Sequence, residues 1–144
     1  MSAAKTTRRS KKISLASASR KTSRATAVIR EGSGRLYING LPYNVYFPNE
    51  FVQMKVLEPL WLAGEDTISN IDINVRVRGG GFMSQADAVR MAIGRALVEY
   101  TRSEKLKKLF KEYDRTILKG DPRTKEPKKF GGRGARARFQ KSYR

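Results

Sequence analysis

The basic residues of this 144-residue chain are concentrated at its two ends, which limits where a core can form. Residues 1–24 contain eight Lys or Arg and no acidic residue, and residues 119–144 contain ten against two acidic residues. Residues 25–118 hold the other 13 basic residues and 11 acidic ones. Because highly charged segments poor in apolar residues do not fold alone, we predict a disordered basic arm over 1–24, a folded core over 25–118 and a basic tail over 119–144.

The composition also excludes several classes of site. The chain has no Cys and no His, so disulfides, thiolate or imidazole metal sites and a Ser-His-Asp triad are impossible. We therefore expect no enzyme and no cofactor. No segment approaches the roughly 20 apolar residues that cross a bilayer, so no membrane partner is expected. The first residues are similar in composition to a mitochondrial transit peptide, but the equal charge of the tail favours a polyanionic partner, nucleic acid above all.

Strands are predicted in three regions of the core. A β-hairpin is expected over about 25–39, with Gly32-Ser33-Gly34 as its turn. The strongest strand is expected from Ile68 to Val77, where aliphatic and polar residues alternate. A short last strand is predicted at Ile117-Leu118.

Three helices are predicted from apolar periodicity and capping residues. Asn49 is expected to cap the first, which contains Pro59 and ends at Gly64; Pro59 is expected to kink or shorten it. Ser84 and Ser103 are expected to cap the second and third. The fold class is therefore α+β, a two-layer α/β sandwich with helices on one face of a sheet and basic N- and C-terminal extensions.

A triple glycine follows the predicted strand, at Gly79-Gly80-Gly81. Glycine lets a backbone approach phosphate closely, a helix N-terminus attracts anions, and Arg76 and Arg78 add charge beside it. The pattern lacks the Gly-Lys-Ser/Thr of a P-loop, so a nucleotide cradle is disfavoured. A plain tight turn is an alternative, but we favour docking of an RNA phosphate backbone, and we expect Gly80→Val to harm docking more than folding.

The tail offers a second candidate RNA contact. From Gly131 onward, arginines alternate with Gly or Ala, and Phe139 and Tyr143 offer stacking surfaces for bases. The chain ends on Arg144, at the tip of a segment able to reach far from the body. A generic anion-binding tail is the alternative. The lysines of the third helix, Lys105, Lys107, Lys108 and Lys111, are equally compatible with a solvated face and with RNA contact.

Several of these stretches together are familiar. They are Arg20-Lys21-Thr22, Ile38-Asn39-Gly40, Leu57-Glu58-Pro59-Leu60, Asp72 to Gly81 followed by Gln85-Ala86, Arg95 to Val98, Glu112 to Thr116, Asp121-Pro122-Arg123, and Gly131 to Arg138 with Lys141 to Arg144. From about Arg20 onward the chain resembles the ribosomal protein nine family of the small subunit, in its archaeal and eukaryotic form. Residues 1–19 match no part of that pattern.

The resemblance implies a fold like the second domain of small-subunit ribosomal protein five. It implies a cytoplasmic structural protein of the ribosome that binds ribosomal RNA in the subunit head, beside neighbouring ribosomal proteins. It also implies a C-terminal tail that contacts transfer RNA at the peptidyl site.

The residues expected to carry these contacts form two groups. The ribosomal RNA group is Arg20, Lys21, Arg24, Arg76, Arg78, Gly79, Gly80, Gly81, Gln85, Lys128, Lys129, Arg133, Arg136 and Arg138. The transfer RNA group is Lys141, Tyr143 and Arg144. One other function remains open at this point: a free-standing, non-specific RNA-binding protein or RNA chaperone. An enzyme that uses the triple-glycine loop for a nucleotide is a third hypothesis, which the absence of a phosphate-binding Lys and of an obvious base disfavours.

Overall fold

The computed structural model of the chain describes residues 12–143. Its strands are β1 (Ile13–Arg20), β2 (Ser23–Glu31), β3 (Leu36–Ile38), β4 (Leu41–Pro42) and β5 (Ile71–Arg78). Its helices are α1 (Tyr43–Tyr46), α2 (Glu50–Ala63), α3 (Glu65–Ile68), α4 (Phe82–Thr101), α5 (Glu104–Tyr113) and α6 (Thr116–Lys119). None of the described helices is long and apolar enough to span a membrane.

The strands form one five-stranded sheet in the order β1-β2-β5-β3-β4. The pairs β1–β2, β2–β5 and β3–β4 are antiparallel, whereas β3 runs parallel to β5. Alternate residues of β5 are buried, from Ile71 to Val77, as the period-two pattern predicts. The α+β class is confirmed.

The long helix α4 packs across β1, β2 and β5, and α2 lies against α4. The predicted buried stripe of α4 is confirmed, since Ala88, Val89, Ala92, Ile93, Ala96 and Leu97 are all buried. These side chains join the inward residues of the sheet in one apolar core. The other face of the sheet carries the polar and exposed residues of each strand.

The prediction of a disordered arm is wrong for residues 13–24. Strand β1 pairs with β2 along its whole length, from Ile13 opposite Arg30 to Arg20 opposite Ser23. The sequence of β1 does not indicate a strand, because its small residues, Ser and Ala, have weak strand propensity. Pairing with β2 and packing against α4 stabilise a strand that the local sequence does not favour. Residues 1–11 of the predicted arm lie outside the described part of the chain.

The predicted hairpin over 25–39 is also wrong. Strand β5 lies between β2 and β3, so these two strands do not pair. The actual hairpin joins β1 and β2 through Lys21 and Thr22, with Lys21 at φ 53°. The insertion of β5 between β2 and β3 depends on contacts between segments that are distant in sequence, so the turn signal at 32–34 does not indicate it.

The helix boundaries agree with the capping residues in two cases. Asn49 accepts a hydrogen bond from the Phe51 amide, and Ser103 accepts one from Leu106. Pro59 lies inside α2 without shortening it, since the helix continues to Ala63.

Two predictions near the later helices need correction. Helix α4 begins at Phe82 with Gly81 in the cap position, so Ser84 belongs to its first turn. Ile117 and Leu118 form part of helix α6 and not of a strand, because Ile117 packs, fully buried, against the neighbouring helix α4.

Candidate nucleic-acid interface

The sheet register brings the predicted arginines together. Arg24 of β2 lies directly opposite Arg78 of β5, and Arg76 lies opposite Thr26 on the same face. This face is the one that α4 does not cover, and all three arginines are exposed. Residues distant in sequence therefore form one cationic surface that ends at the triple glycine.

The triple-glycine loop is held by two serines. The Ser23 hydroxyl donates to the Gly79 carbonyl at 2.8 Å and lies 2.8 Å from the Ser84 hydroxyl. The Gly81 amide donates to Ser84 Oγ at 3.1 Å. The start of α4 is thereby fastened to the start of β2.

Two glycines of the loop are required by its own geometry. Gly79 and Gly80 have φ of 75° and 70°, a region that other residues rarely adopt. A Cβ on Gly80 would lie 2.1 Å from Ser23 Oγ, and one on Gly79 would lie 2.7 Å from the Thr22 carbonyl oxygen. The tight-turn interpretation therefore accounts for both. Gly81 differs, because a Cβ there would meet no atom within 4 Å.

Gln85 supports the loop from the other side. Its amide donates to the Gly79 carbonyl at 3.2 Å and accepts from the Tyr46 hydroxyl at 2.9 Å. Both amide functions thus have protein partners, so the described contacts give Gln85 a positioning role beside the cationic surface.

Arg20 lies in a cluster of charges at the end of β1. Its guanidinium donates to the Arg123 carbonyl at 2.8 Å and pairs with Asp121 at 3.3 Å and Asp87 at 3.9 Å. Lys55 pairs with the same Asp87. Hydrogen bonds from Arg123 hold the pKa of the Asp121 carboxyl well below its usual value, so the carboxylate stays charged near neutral pH. Lys21, next along the chain, is exposed in the hairpin turn.

The tail leaves the body at this cluster and contains no helix or strand from residue 122 to residue 143. Exposed cations follow one another along it: Lys128, Lys129, Arg133, Arg136, Arg138 and Lys141. Arg136 pairs with Glu126 at 2.9 Å, and the Phe139 amide donates to the Gly131 carbonyl at 3.1 Å, closing a loop. Tyr143 is 88% exposed. Arg144 lies outside the described residues.

Sequence reasoning missed Arg30 and Asn39. Arg30 lies on the open face of the sheet together with Arg24 and Val28, because all three alternate with the buried residues of β2. Asn39 accepts from the Val77 amide at 2.9 Å and donates to the Val77 carbonyl at 3.1 Å, extending the sheet by side-chain contacts. The period-two pattern of β2 contained the signal for Arg30; the Asn39 contact has none in the sequence.

The described residues contain no group of three or more acidic, His or Cys side chains able to hold a metal ion. The site consists instead of exposed guanidinium and ammonium groups on the sheet and on a tail that has no helix or strand. Such a distribution is typical of proteins that bind a folded nucleic acid at many phosphates. The fold and the site thus define a small α+β protein with a cationic sheet face and a cationic tail.

Comparison with known proteins specifies the family. Residues 18–144 match the family model described as ribosomal protein S9/S16. A protein of Desulfurococcus amylolyticus named small ribosomal subunit protein uS9 is 56% identical over 92% of this chain and 94% of its own length. Proteins of the same name from Saccharolobus solfataricus and Aeropyrum pernix are 50% and 49% identical over 92% of this chain, and over 96% and 97% of their own lengths.

The chain belongs to the ribosomal protein S9/S16 family. The resemblance noted from the sequence is thereby confirmed. The prediction that the chain is not an enzyme is confirmed as well, because members of this family are structural components of the ribosome. The ribosomal location is confirmed on the same ground.

Proposed function

We propose that this protein is a structural constituent of the small-subunit head in the cytoplasmic ribosome, where its body binds ribosomal RNA and its tail contacts peptidyl-site transfer RNA. The observation that carries the proposal is the tail itself. It starts at a fixed point on the body, Asp121, and continues without helix or strand to the last described residue, Tyr143.

The body contributes a rigid cationic platform. Arg24, Arg76 and Arg78 lie on one face, and none of them takes part in a salt bridge among residues 12–143. Unpaired guanidinium groups remain available to bind phosphate oxygens. Gly81, whose α-carbon has open space beside it, gives a phosphate access to the start of α4.

The tail contributes reach and charge without helix or strand. Phosphate contacts position a ligand without reading its sequence, which suits a site that must accept every transfer RNA in turn. Lys141 and Arg144 provide the cations, and Tyr143 provides a stacking surface. Lys128, Lys129, Arg133, Arg136 and Arg138 are assigned to ribosomal RNA along the way.

The test separates the tail from the body. A Lys141→Gln/Arg144→Gln variant is incorporated into small subunits and compared with a Lys105→Gln/Lys108→Gln variant, which loses the same charge from helix α5. We expect both to co-sediment with the small subunit through a high-salt wash. We expect transfer RNA to dissociate from the peptidyl site several-fold faster in the tail variant alone.

Two outcomes would contradict the proposal. Release of the wild-type protein from the particles by the salt wash would indicate a free-standing RNA-binding protein. Equal dissociation rates of transfer RNA in the two variants would contradict the proposed contact between the tail and transfer RNA, but not the proposed contact with ribosomal RNA.

A further inference from the structure

We propose that the open face of the sheet binds an unpaired stretch of RNA, with arginines on its phosphates and a central apolar row against its bases. The inference rests on the RNA-binding function proposed above and names the kind of RNA that this surface takes. It depends on the side chains that the strand register places side by side.

The apolar row crosses the sheet at its middle. Leu15 of β1 lies opposite Val28 of β2, which lies opposite Asn74 of β5, which lies opposite Tyr37 of β3. Leu15 is 60% exposed, and Val28 and Tyr37 are partly exposed. Asn74 is the polar member of this row and separates the Leu15–Val28 pair from Tyr37. The exposed aliphatic pair and the tyrosine are each a surface that a flat, apolar ligand can cover.

Arginines stand on both sides of this row. Arg30 lies two residues beyond Val28 on one side, and Arg76 lies two residues beyond Asn74 on the other, each roughly 6.7 Å along its strand. Arg24 and Arg78 follow one step further out. Arg30, Arg76 and Arg78 line a concave region of about 730 Å³, which Leu15, Val28 and the turn at Asn39 and Gly40 also line.

The charge of the face is almost entirely positive. One strand residue on it is acidic among those that the structure describes, Asp72, and its carboxylate accepts the amides of Ser33 and Arg35 at 2.9 and 3.0 Å. Arg30, although opposite Asp72 in register, makes no salt bridge within residues 12–143. The four arginines therefore face an incoming anion without internal competition.

The apolar row distinguishes unpaired RNA from a duplex. A duplex keeps its bases stacked inside and presents phosphates and riboses, so it would leave Leu15 and Val28 against polar groups. Unpaired bases can lie on the apolar row while the backbone on either side reaches Arg30 and Arg76. One strand of RNA thereby satisfies both kinds of side chain on this face.

The experiment uses the full-length protein and two probes, a 12-nucleotide oligouridylate containing 4-thiouridine and a 12-base-pair RNA duplex with the same label. Photo-crosslinks are mapped to peptides by mass spectrometry at moderate salt. We expect the single strand to crosslink to the peptides that contain Leu15 and Tyr37, and the duplex to crosslink there several-fold less. Crosslinks to the tail serve as an internal reference in each sample.

Two variants then separate bases from phosphates. Leu15→Ser should lower the sheet-face crosslink several-fold without changing the tail crosslink or the salt dependence of affinity. Arg76→Gln should reduce the slope of log affinity against log salt by about 1. Lys108→Gln, on helix α5, removes the same charge away from the sheet and should leave the sheet-face crosslink unchanged.

The outcomes that overturn the inference differ from those that overturn the proposed function. Equal crosslinking of duplex and single strand, crosslinks confined to the tail, or no effect of Leu15→Ser would each reject the sheet-face site while RNA binding stands. Absence of any RNA crosslink would reject the proposed function itself. The comparison of the two probes needs no substitution, so it holds even if Leu15→Ser folds poorly.

Discussion

Arg20 and Asp121 join the end of the first strand to the start of the tail, with 3.3 Å between Nη2 of the arginine and Oδ2 of the aspartate. A short parallel bridge between the same two residues adds a backbone link. Side chains at this junction are well covered, 14% exposed for Arg20 and 11% for Asp121. The tail is therefore oriented by the body at its first residues, although it has no regular structure beyond them.

The first prediction concerns this junction. Asp121→Asn should loosen the start of the tail, because Arg20 and Arg123 both lose the charge that they share. We expect trypsin to cleave after Arg123 several-fold faster, with little change in the thermal midpoint. Glu126→Gln is the matched control, since Glu126 pairs with Arg136 further along the tail. Unchanged cleavage in Asp121→Asn would show that the ion pairs do not order the junction.

The second prediction compares two adjacent glycines. Gly80→Val should destabilise the protein by about 3 kcal/mol, because valine is strained at φ 70° and its Cβ overlaps Ser23. This reverses the sequence-based expectation that the substitution harms RNA docking more than folding. Gly81→Val should fold normally, since its Cβ meets open space, and should weaken RNA docking. The free energy of unfolding of both variants is measured by urea denaturation, and RNA affinity is measured for Gly81→Val. Equal stability of the two variants would contradict the conclusion that the loop geometry requires glycine at position 80 but not at position 81.

The third prediction concerns Arg90, which is 8% exposed and pairs with Glu58 of α2 and with Asp114 after α5. Arg90→Met should cost about 2 kcal/mol of unfolding free energy, because two partly covered carboxylates lose their partner. Lys107→Gln breaks the exposed pair with Glu104 and should cost under about 0.5 kcal/mol. Chemical denaturation distinguishes them; a similar small loss in both would mean that the Arg90 network contributes little.

The fourth prediction is a loss of stability in acid. Burial would raise the pKa of Asp114, but hydrogen bonds from Thr116 and Arg90 outweigh it and lower the pKa. The pKa of Asp72 is lowered by the backbone amides of Ser33 and Arg35. The folded state therefore binds fewer protons than the unfolded chain, in which Asp titrates near pH 3.9. The stabilisation is complete above about pH 5 and is lost as the pH falls through the folded pKa.

Thermal midpoints measured between pH 3 and 7 test this directly. We expect a plateau near neutral pH and a decline below about pH 4 in the wild type. Asp114→Asn should start from a lower plateau and decline less steeply, because one of the shifted carboxyl groups is absent. A wild-type midpoint that stays constant down to pH 3 would contradict the prediction.

The local elements were predictable wherever the sequence contained a strong periodic pattern or a specific cap. The alternation of Ile71 to Val77, the buried stripe of α4 and the caps at Asn49 and Ser103 each depend on neighbouring residues only. Strand β1 has no such pattern. Its Ser and Ala residues have weak strand propensity, so the strand depends on pairing with β2 and on packing against α4.

Most predicted interface residues were identifiable by type, but their surroundings were not. Arg76 and Arg78 lie on the polar face of β5 as the alternation predicts. Arg20 was expected among the ribosomal RNA contacts through the family resemblance, yet its guanidinium contacts Asp87, Asp121 and the Arg123 carbonyl. A sequence shows that a cationic side chain is present. Its ion-pair and hydrogen-bond partners depend on which distant segments of the chain lie beside it in the fold.

By itself the sequence determined the division of charge, the absence of Cys and His, the amphipathic patterns of β5 and α4, and membership of the family. The tertiary structure decided which strands pair, and with them the row of Leu15, Val28, Asn74 and Tyr37 between its flanking arginines. The physical reason is that side-chain periodicity is a local property of the backbone, whereas strand order depends on packing between segments far apart in the chain.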